Sequence, residues 1–186
     1  MRKVVLSHWI TIDGYAALDP DTDLYRYMQQ LDDPEHDSYF LDRLNSVAEH
    51  AMGSTTYREM SAHWPPSNSP IADPMNRIPK LVFTHSDVDD SWGPVRVIRG
   101  DTKAAFDALK AEVGGDILVH GGTTFVHSLL RLDVIDEYRL NVIPAAIGTG
   151  VPLFEDLGRV QPLRVLQTTT FASGVQEVVL APNRNA

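Results

Sequence analysis

The sequence predicts a single α/β domain on three observations. Short apolar, β-branched runs alternate along the chain with stretches of helical spacing, the pattern of strands and helices taken in turn. At 186 residues the chain suits one domain that buries roughly two-thirds or more of its unfolded surface. Hydrophobic residues at 43% and charged residues at 22% supply an ordinary globular core, and no internal repeat or low-complexity tract divides residues 1–186.

The elements follow in order. Lys3 to Thr11 reads as the first strand, and a polar loop runs from Asp13 to about Glu35. Phe40, Leu41, Leu44, Val47 and Ala48 recur at helical spacing, which predicts a helix over about Ser38 to Ser46. A short strand, Ala48 to Met52, ends at Gly53. Ser54 or Thr55 then caps a helix to about Ala62, stopped by Trp64-Pro65-Pro66. Pro65 to Pro70 is a loop inside one fold. Lys80 to Thr84 and Val95 to Ile98 are strands; Gly100 turns the chain and Asp101 caps a helix to about Val113. Asp116 to His120 is a buried strand, followed by a helix from Thr123 to Leu132. Strands at Glu137 to Ile143 and Val175 to Leu180 complete the pattern, with Pro144 to Thr170 unassigned.

Composition removes several classes of function. The net charge of −9 argues against nucleic acid, whose binders carry clustered basic faces. A nucleotide cofactor remains compatible, because a few N–H groups and one or two cations can hold phosphate inside an acidic protein. Cysteine is absent, which excludes disulfides, thiolate nucleophiles and Cys-based zinc. The seven histidines form no His-Glu-x-x-His pattern, so no metal site is expected. The apolar start Val4-Val5-Leu6 is cut short by Ser7, His8 and Asp13, and no run approaches the ~20 apolar residues of a membrane span. A soluble, cytoplasmic protein acting on a small molecule is the expectation.

The strongest local motif is Ile117-Leu118-Val119-His120-Gly121-Gly122-Thr123-Thr124-Phe125. A buried strand runs into two glycines and then a helix opened by hydroxyl residues. Unpaired N–H groups at the positive end of that helix make a seat for an anion, and glycine lets a phosphate approach the backbone. The same residues are equally compatible with a plain tight turn. Met52-Gly53-Ser54-Thr55-Thr56-Tyr57 repeats the chemistry at a second strand-to-helix junction. Two such junctions in one small domain suit a dinucleotide better than a single phosphate, although hydroxyl residues after glycine are also ordinary caps.

Five stretches in order resemble the dihydrofolate reductase superfamily, and within it the C-terminal reductase domain of riboflavin-biosynthesis deaminase-reductases. They are Thr11-Ile12-Asp13-Gly14, the Met52 to Tyr57 junction, Ile78 to Thr84, Asp116 to Gly122, and Ile147-Gly148-Thr149-Gly150-Val151-Pro152-Leu153-Phe154. They span most of the chain and leave only Asp19 to Asp37 and Pro65 to Asp73 without a counterpart. The resemblance implies a twisted, mostly parallel sheet flanked by helices, with NADPH across the C-terminal strand ends and NADH as an alternative. It implies pyrophosphate at Gly121, Gly122, Thr123, Thr124 and Phe125, and a cis bond between the two glycines. The adenosine half would lie against Gly53, Ser54, Thr55 and Thr56 and the strand end Thr84, His85 and Ser86. By the same resemblance the protein forms a homodimer.

One departure concerns the cofactor. Where the family has an arginine after the glycine of the second junction, this chain has Ser54. Serine donates a hydrogen bond but brings no charge to a 2′-phosphate. Arg58, Arg99 and Lys103 are weaker substitutes. At the reacting end the candidates are Asp13, otherwise an Asp-Gly turn residue, and His120, otherwise a strand-end histidine. His120 would point at the active site and donate a proton near neutral pH. Asp42 reads as a solvated helix acid rather than a folate anchor, and Trp9, Tyr57 and Trp64 as core aromatics that offer pocket walls. A reductase of a small heterocycle or carbonyl-like compound is therefore expected. A dinucleotide-binding module without turnover is the alternative.

Overall fold

In the computed structural model, which describes residues 1–16 and 22–184, eight strands form one sheet. The elements are β1 (Val4–Thr11), α1 (Asp23–Met28), α2 (Pro34–Asn45), β2 (Glu49–Gly53), α3 (Ser54–His63), α4 (Ala72–Arg77), β3 (Lys80–Phe83), β4 (Val95–Ile98), α5 (Thr102–Ala111), β5 (Ile117–Gly121), α6 (Thr123–Arg131), β6 (Glu137–Ile143), β7 (Leu163–Thr170) and β8 (Gln176–Pro182). The spatial order is β4-β3-β2-β5-β1-β6-β8-β7, parallel from β4 to β6, with β8 and β7 antiparallel. This is the expected α/β domain with a mostly parallel sheet.

The central strands read as continuous apolar runs because both faces are covered. Successive side chains alternate between faces, and the buried residues divide accordingly. Val4, Leu6, Ala51, Ile117 and Val119 pack with Phe106 and Leu109 of α5 and with Val126, Leu129 and Leu130 of α6. Val5, Met52, Val82 and Leu118 pack with Leu44 of α2, Tyr57 of α3 and Met75 of α4. The helix after β2 thus lies on one face and the helix after β5 on the other, while β2 and β5 are hydrogen-bonded neighbours. In an open α/β sheet such a pair marks the place where the chain reverses its winding and leaves a crevice at the C-terminal strand ends.

β4 and β6 match their expected bounds, and most other elements lie within a residue or two. Three elements went unseen in the sequence. α1 and α4 are short helices of six residues each. β7 is an edge strand with little buried on either face, so it carries no apolar alternation. α2 begins four residues earlier than expected, because Asp33 accepts from the His36 amide and Pro34 follows in the first turn. Residues 17–21 of the expected polar loop lie outside the described residues. The Gly121–Gly122 bond corrects the expectation of a cis peptide: no described bond is cis, and the chain turns instead through positive φ at both glycines, +128° and +55°. No described helix is long and apolar enough to cross a membrane.

Candidate functional site

A cavity of about 560 Å³ opens at the β2–β5 crevice, within the size range of small-molecule sites. Its walls include Gly53, Ser54, Thr55 and Thr56 at the start of α3, and Gly122, Thr123, Thr124, Phe125 and Ser128 at the start of α6. The two helices approach from opposite faces of the sheet and bring their N-termini to one opening. Both begin on glycine with no side-chain cap, whereas Thr22, Asp33 and Asp101 cap α1, α2 and α5. α4 also lacks a side-chain cap but does not border the cavity. The first-turn amides of α3 and α6 are therefore left to whatever occupies the crevice.

The local geometry suits a phosphate at this point. A Cβ on Gly122 would stand 2.8 Å from Thr56 Oγ1, so only glycine allows α6 and α3 to come this close. Gly53 is less constrained: a Cβ there would meet Phe125 Cβ at 3.5 Å, an ordinary van der Waals contact. Phe125 stands 5.1 Å from Phe83, and Phe83 stacks on the buried Phe106 at 4.7 Å. This aromatic row carries Phe83 and Phe125, two of the cavity walls, down into the core.

The crevice brings together ten of the twelve residues expected at a cofactor: Gly53, Ser54, Thr55, Thr56, Thr84, His85, Gly122, Thr123, Thr124 and Phe125. Gly121 lies one residue short of the lining, and Ser86 also lies outside it. Five further lining residues were not anticipated: Phe83, Ile98, Gly100, Thr102 and Ser128. A signal for three of them was present, since Ile98-Arg99-Gly100-Asp101-Thr102 repeats the strand, glycine and hydroxyl order of the other junctions. Ser128 sits one helical turn beyond Thr124.

Asp13 and His120 lie outside this lining. The Asp13 carboxylate accepts from the Gly148 amide at 2.7 Å and the Ile147 amide at 3.1 Å, tying the β1 turn to the loop after β6. The Thr11 hydroxyl and the Gly148 amide hold its carboxyl below the usual range. The tie is thus complete at neutral pH and is lost as pH falls through that lowered value. Replacing Asp13 by alanine is expected to speed hydrogen exchange at the Ile147 and Gly148 amides at pH 7. Unchanged exchange there would show that the loop is held by other contacts.

His120 shares the α3 face of the sheet with Leu118 and packs edge-on against His50, ring centroids 4.4 Å apart. Burial and the Lys80 charge pull its pKa down to about 4, so the ring is neutral at pH 7. That corrects the expectation of a proton donor near neutral pH. His50 is fully buried and pulled to about 2 by burial and by His120; His8 is pulled to about 4 by burial and by His127. Each of these folded-state values lies below that of an unfolded histidine, ~6.5. The unfolded chain therefore takes up more protons, and stability falls as pH drops below ~6.5. His8, His50 and His120 together predict a loss of about 4 kcal/mol between pH 7.5 and 5.5. Denaturant midpoints at the two pH values check this, and equal midpoints would contradict it.

Other candidates serve structure. Asp42 is exposed on α2. Tyr57 is buried in the α3 face, Trp64 packs against the same cluster, and Trp9 lies edge-on to His36 at 5.0 Å. No group of three or more His, Asp or Glu among the described residues could hold a metal ion.

The family model of the RibD C-terminal domain matches residues 2–177. The uncharacterized protein YwjB of Bacillus subtilis (strain 168) is 29% identical over 177 residues, covering 94% of this chain and 95% of its own. A Shewanella sp. PV-4 protein named for riboflavin biosynthesis superposes with a TM-score of 0.78 at 19% identity, covering 98% of this chain and 99% of that one. A dihydrofolate reductase of Enterococcus faecalis, complexed with NADP(H) and a second ligand, superposes with a TM-score of 0.63 at 11% identity, covering 97% and 96%. At such identities the two structures establish a shared fold.

Proposed function

The chain belongs to the RibD C-terminal domain family, and from that premise we propose that it is a reductase binding a nicotinamide dinucleotide across the β2–β5 crevice. NADPH is the proposed cofactor, with NADH as the alternative, and the substrate is a small heterocyclic or carbonyl-like compound. The observation that carries this reading is the pair of glycine-capped helix N-termini, α3 and α6, opening on one cavity. Two phosphate seats side by side suit a pyrophosphate. The Enterococcus reductase, complexed with NADP(H), supports the reading at the level of fold.

When bound, the nicotinamide supplies the hydride. The rest belongs to the chain. The first-turn amides of α6 and α3 receive the phosphates, with the hydroxyls of Ser54, Thr55, Thr123 and Thr124 as further donors. Phe83 and Phe125 wall the cleft and exclude water from it. Neither Asp13 nor His120 lines the cavity, so in this reading neither supplies the proton that would accompany the hydride. The same observation favours the second reading, a dinucleotide-binding module without turnover.

The test is titration of the purified protein with NADPH and NADH, followed by nicotinamide fluorescence, and then a search for substrates that oxidise the bound cofactor. Micromolar binding followed by oxidation supports the reductase. Binding that no heterocycle or carbonyl compound can discharge favours the module, and binding of neither dinucleotide overturns both.

A further inference from the structure

β3 and β4 are parallel neighbours joined without an intervening helix. Residues 84–94 therefore run from the C-terminal end of β3 back to the start of β4, and they do so across the α3 face. Thr84 and His85 at the upper end line the crevice. Below them Trp92 is buried and Val88 half-buried in the α3-side core, while most of the rest is exposed. A segment with so few buried anchors is a natural unit of local opening.

The lower anchor is built on a lysine. Lys80, the first residue of β3, is fully buried. Its Nζ donates to the Asn76 carbonyl at 2.7 Å and lies 4.4 Å from the centre of the Trp92 ring. Trp92 in turn donates its indole N–H to Asn76 Oδ1 at 2.7 Å. Gly93 closes on the same spot at φ +70°, where a Cβ would stand 2.9 Å from the Asn76 carbonyl oxygen and 3.3 Å from Lys80 Nζ. Among the described residues Lys80 has a carbonyl and a ring for company and no carboxylate within ion-pair distance. Such contacts offset only part of the cost of burying an ammonium.

We propose that residues 84–94 form a strap on the β3 rim of the crevice, sprung by the buried charge of Lys80: the proton on this amine favours opening, and its loss locks the strap shut. The proposal is independent of which molecule occupies the crevice. In the closed strap, burial pulls the Lys80 amine down to about 8; once hydrated by opening, it regains the ordinary ~10.4. Opening thus takes up a proton, and its equilibrium constant falls as pH rises from about 8 toward ~10.4.

The surrounding groups hold their charge through this window. His50 of β2 and His120 of β5, pulled down to about 2 and about 4 by burial and by neighbouring charge, stay neutral. Burial raises the Tyr57 hydroxyl on α3 above its ordinary value, so it keeps its proton. Glu49 of β2 pairs with Arg2, Arg77 of α4 with Asp73 at 3.4 Å, and Arg96 of β4 with Glu112 at 2.9 Å. On the strap itself Asp87 pairs with Arg99 at 3.1 Å, and Asp89 and Asp90 are exposed.

The experiment follows hydrogen exchange by NMR from pH 7 to 9.5 in the wild type, Lys80→Met and Lys80→Arg. Its two reporters are the Trp92 indole N–H and the Lys80 backbone N–H, which donates to the Pro94 carbonyl at 2.8 Å. Rates are divided by the intrinsic chemical exchange rate at each pH. Wild-type protection is expected to rise roughly twentyfold across this range. It should be high and flat in Lys80→Met, and low and flat in Lys80→Arg, whose guanidinium keeps its charge. Amides of β1 and β5 should exchange more slowly than both reporters at every pH. Wild-type protection that is independent of pH, or a rise that survives Lys80→Met, overturns the proposal. So do reporters that exchange no faster than β1 and β5, since the strap would then have no opening of its own. Should Lys80→Arg fail to fold, the wild-type and methionine profiles decide.

Discussion

Replacing Gly122 by valine is expected to destabilise the protein by about 2–5 kcal/mol and to weaken dinucleotide binding at least ~tenfold. Two physical causes add. Gly122 sits at φ +55°, which L side chains rarely adopt, and its Cβ would lie 2.8 Å from Thr56 Oγ1. Thr56 is buried and β-branched, so it has little freedom to turn aside. The added side chain also pushes the start of α6 away from the crevice, where its amides would meet phosphate. For a domain of this size the loss amounts to a melting temperature lower by about 5–15 °C. Gly122→Ala combined with Thr56→Ala separates the two causes, since it removes the crowding contact and keeps the backbone strain. A Gly122→Ala single variant that binds dinucleotide as tightly as wild type would remove α6 from the phosphate site.

The second large effect lies beneath the cavity. Phe106 is fully buried on α5 and stacks on Phe83, which in turn contacts Phe125. Phe106→Ala is expected to cost about 3–5 kcal/mol through lost burial and the cavity left behind. Because Phe83 and Phe125 line the crevice, their loosened packing should also raise the dissociation constant for dinucleotide severalfold. Phe106→Leu keeps most of the volume and should recover most of both effects. If alanine lowers stability while leaving the dissociation constant unchanged, the aromatic row supports the fold and does not position the site.

The parallel strands were legible because burial on both faces leaves them as short apolar runs, such as Val4-Val5-Leu6 and Ile117-Leu118-Val119. α5 was legible through Asp101, whose cap is local chemistry. β7 was not, because an edge strand exposed on both faces has no pattern to read. α4, six residues with Pro74 in its first turn, is too short to show a period.

At the site, the two junctions were legible because each is a contiguous motif in which glycine and hydroxyl residues follow a strand. His120 and Asp13 were harder. A histidine at a strand end and an aspartate in an Asp-Gly turn look alike whether they face a substrate or not. The deciding facts are long-range. His120 meets His50 and the charge of Lys80 across the sheet, and Asp13 meets the amides of Ile147 and Gly148, more than a hundred residues away in the chain.

The sequence alone determined the α/β class, the order of most elements and the two glycine-hydroxyl junctions, since all of these rest on periodicity and on residues next to one another. Only the tertiary structure decided that α3 and α6 approach from opposite faces and open on one crevice, and that His85 is its sole ionisable wall among the described residues. It alone decided, too, that the expected proton donor is neutral. Ionisation and shared cavities depend on which distant groups are brought together and how far water is shut out, and no local pattern in a chain records that.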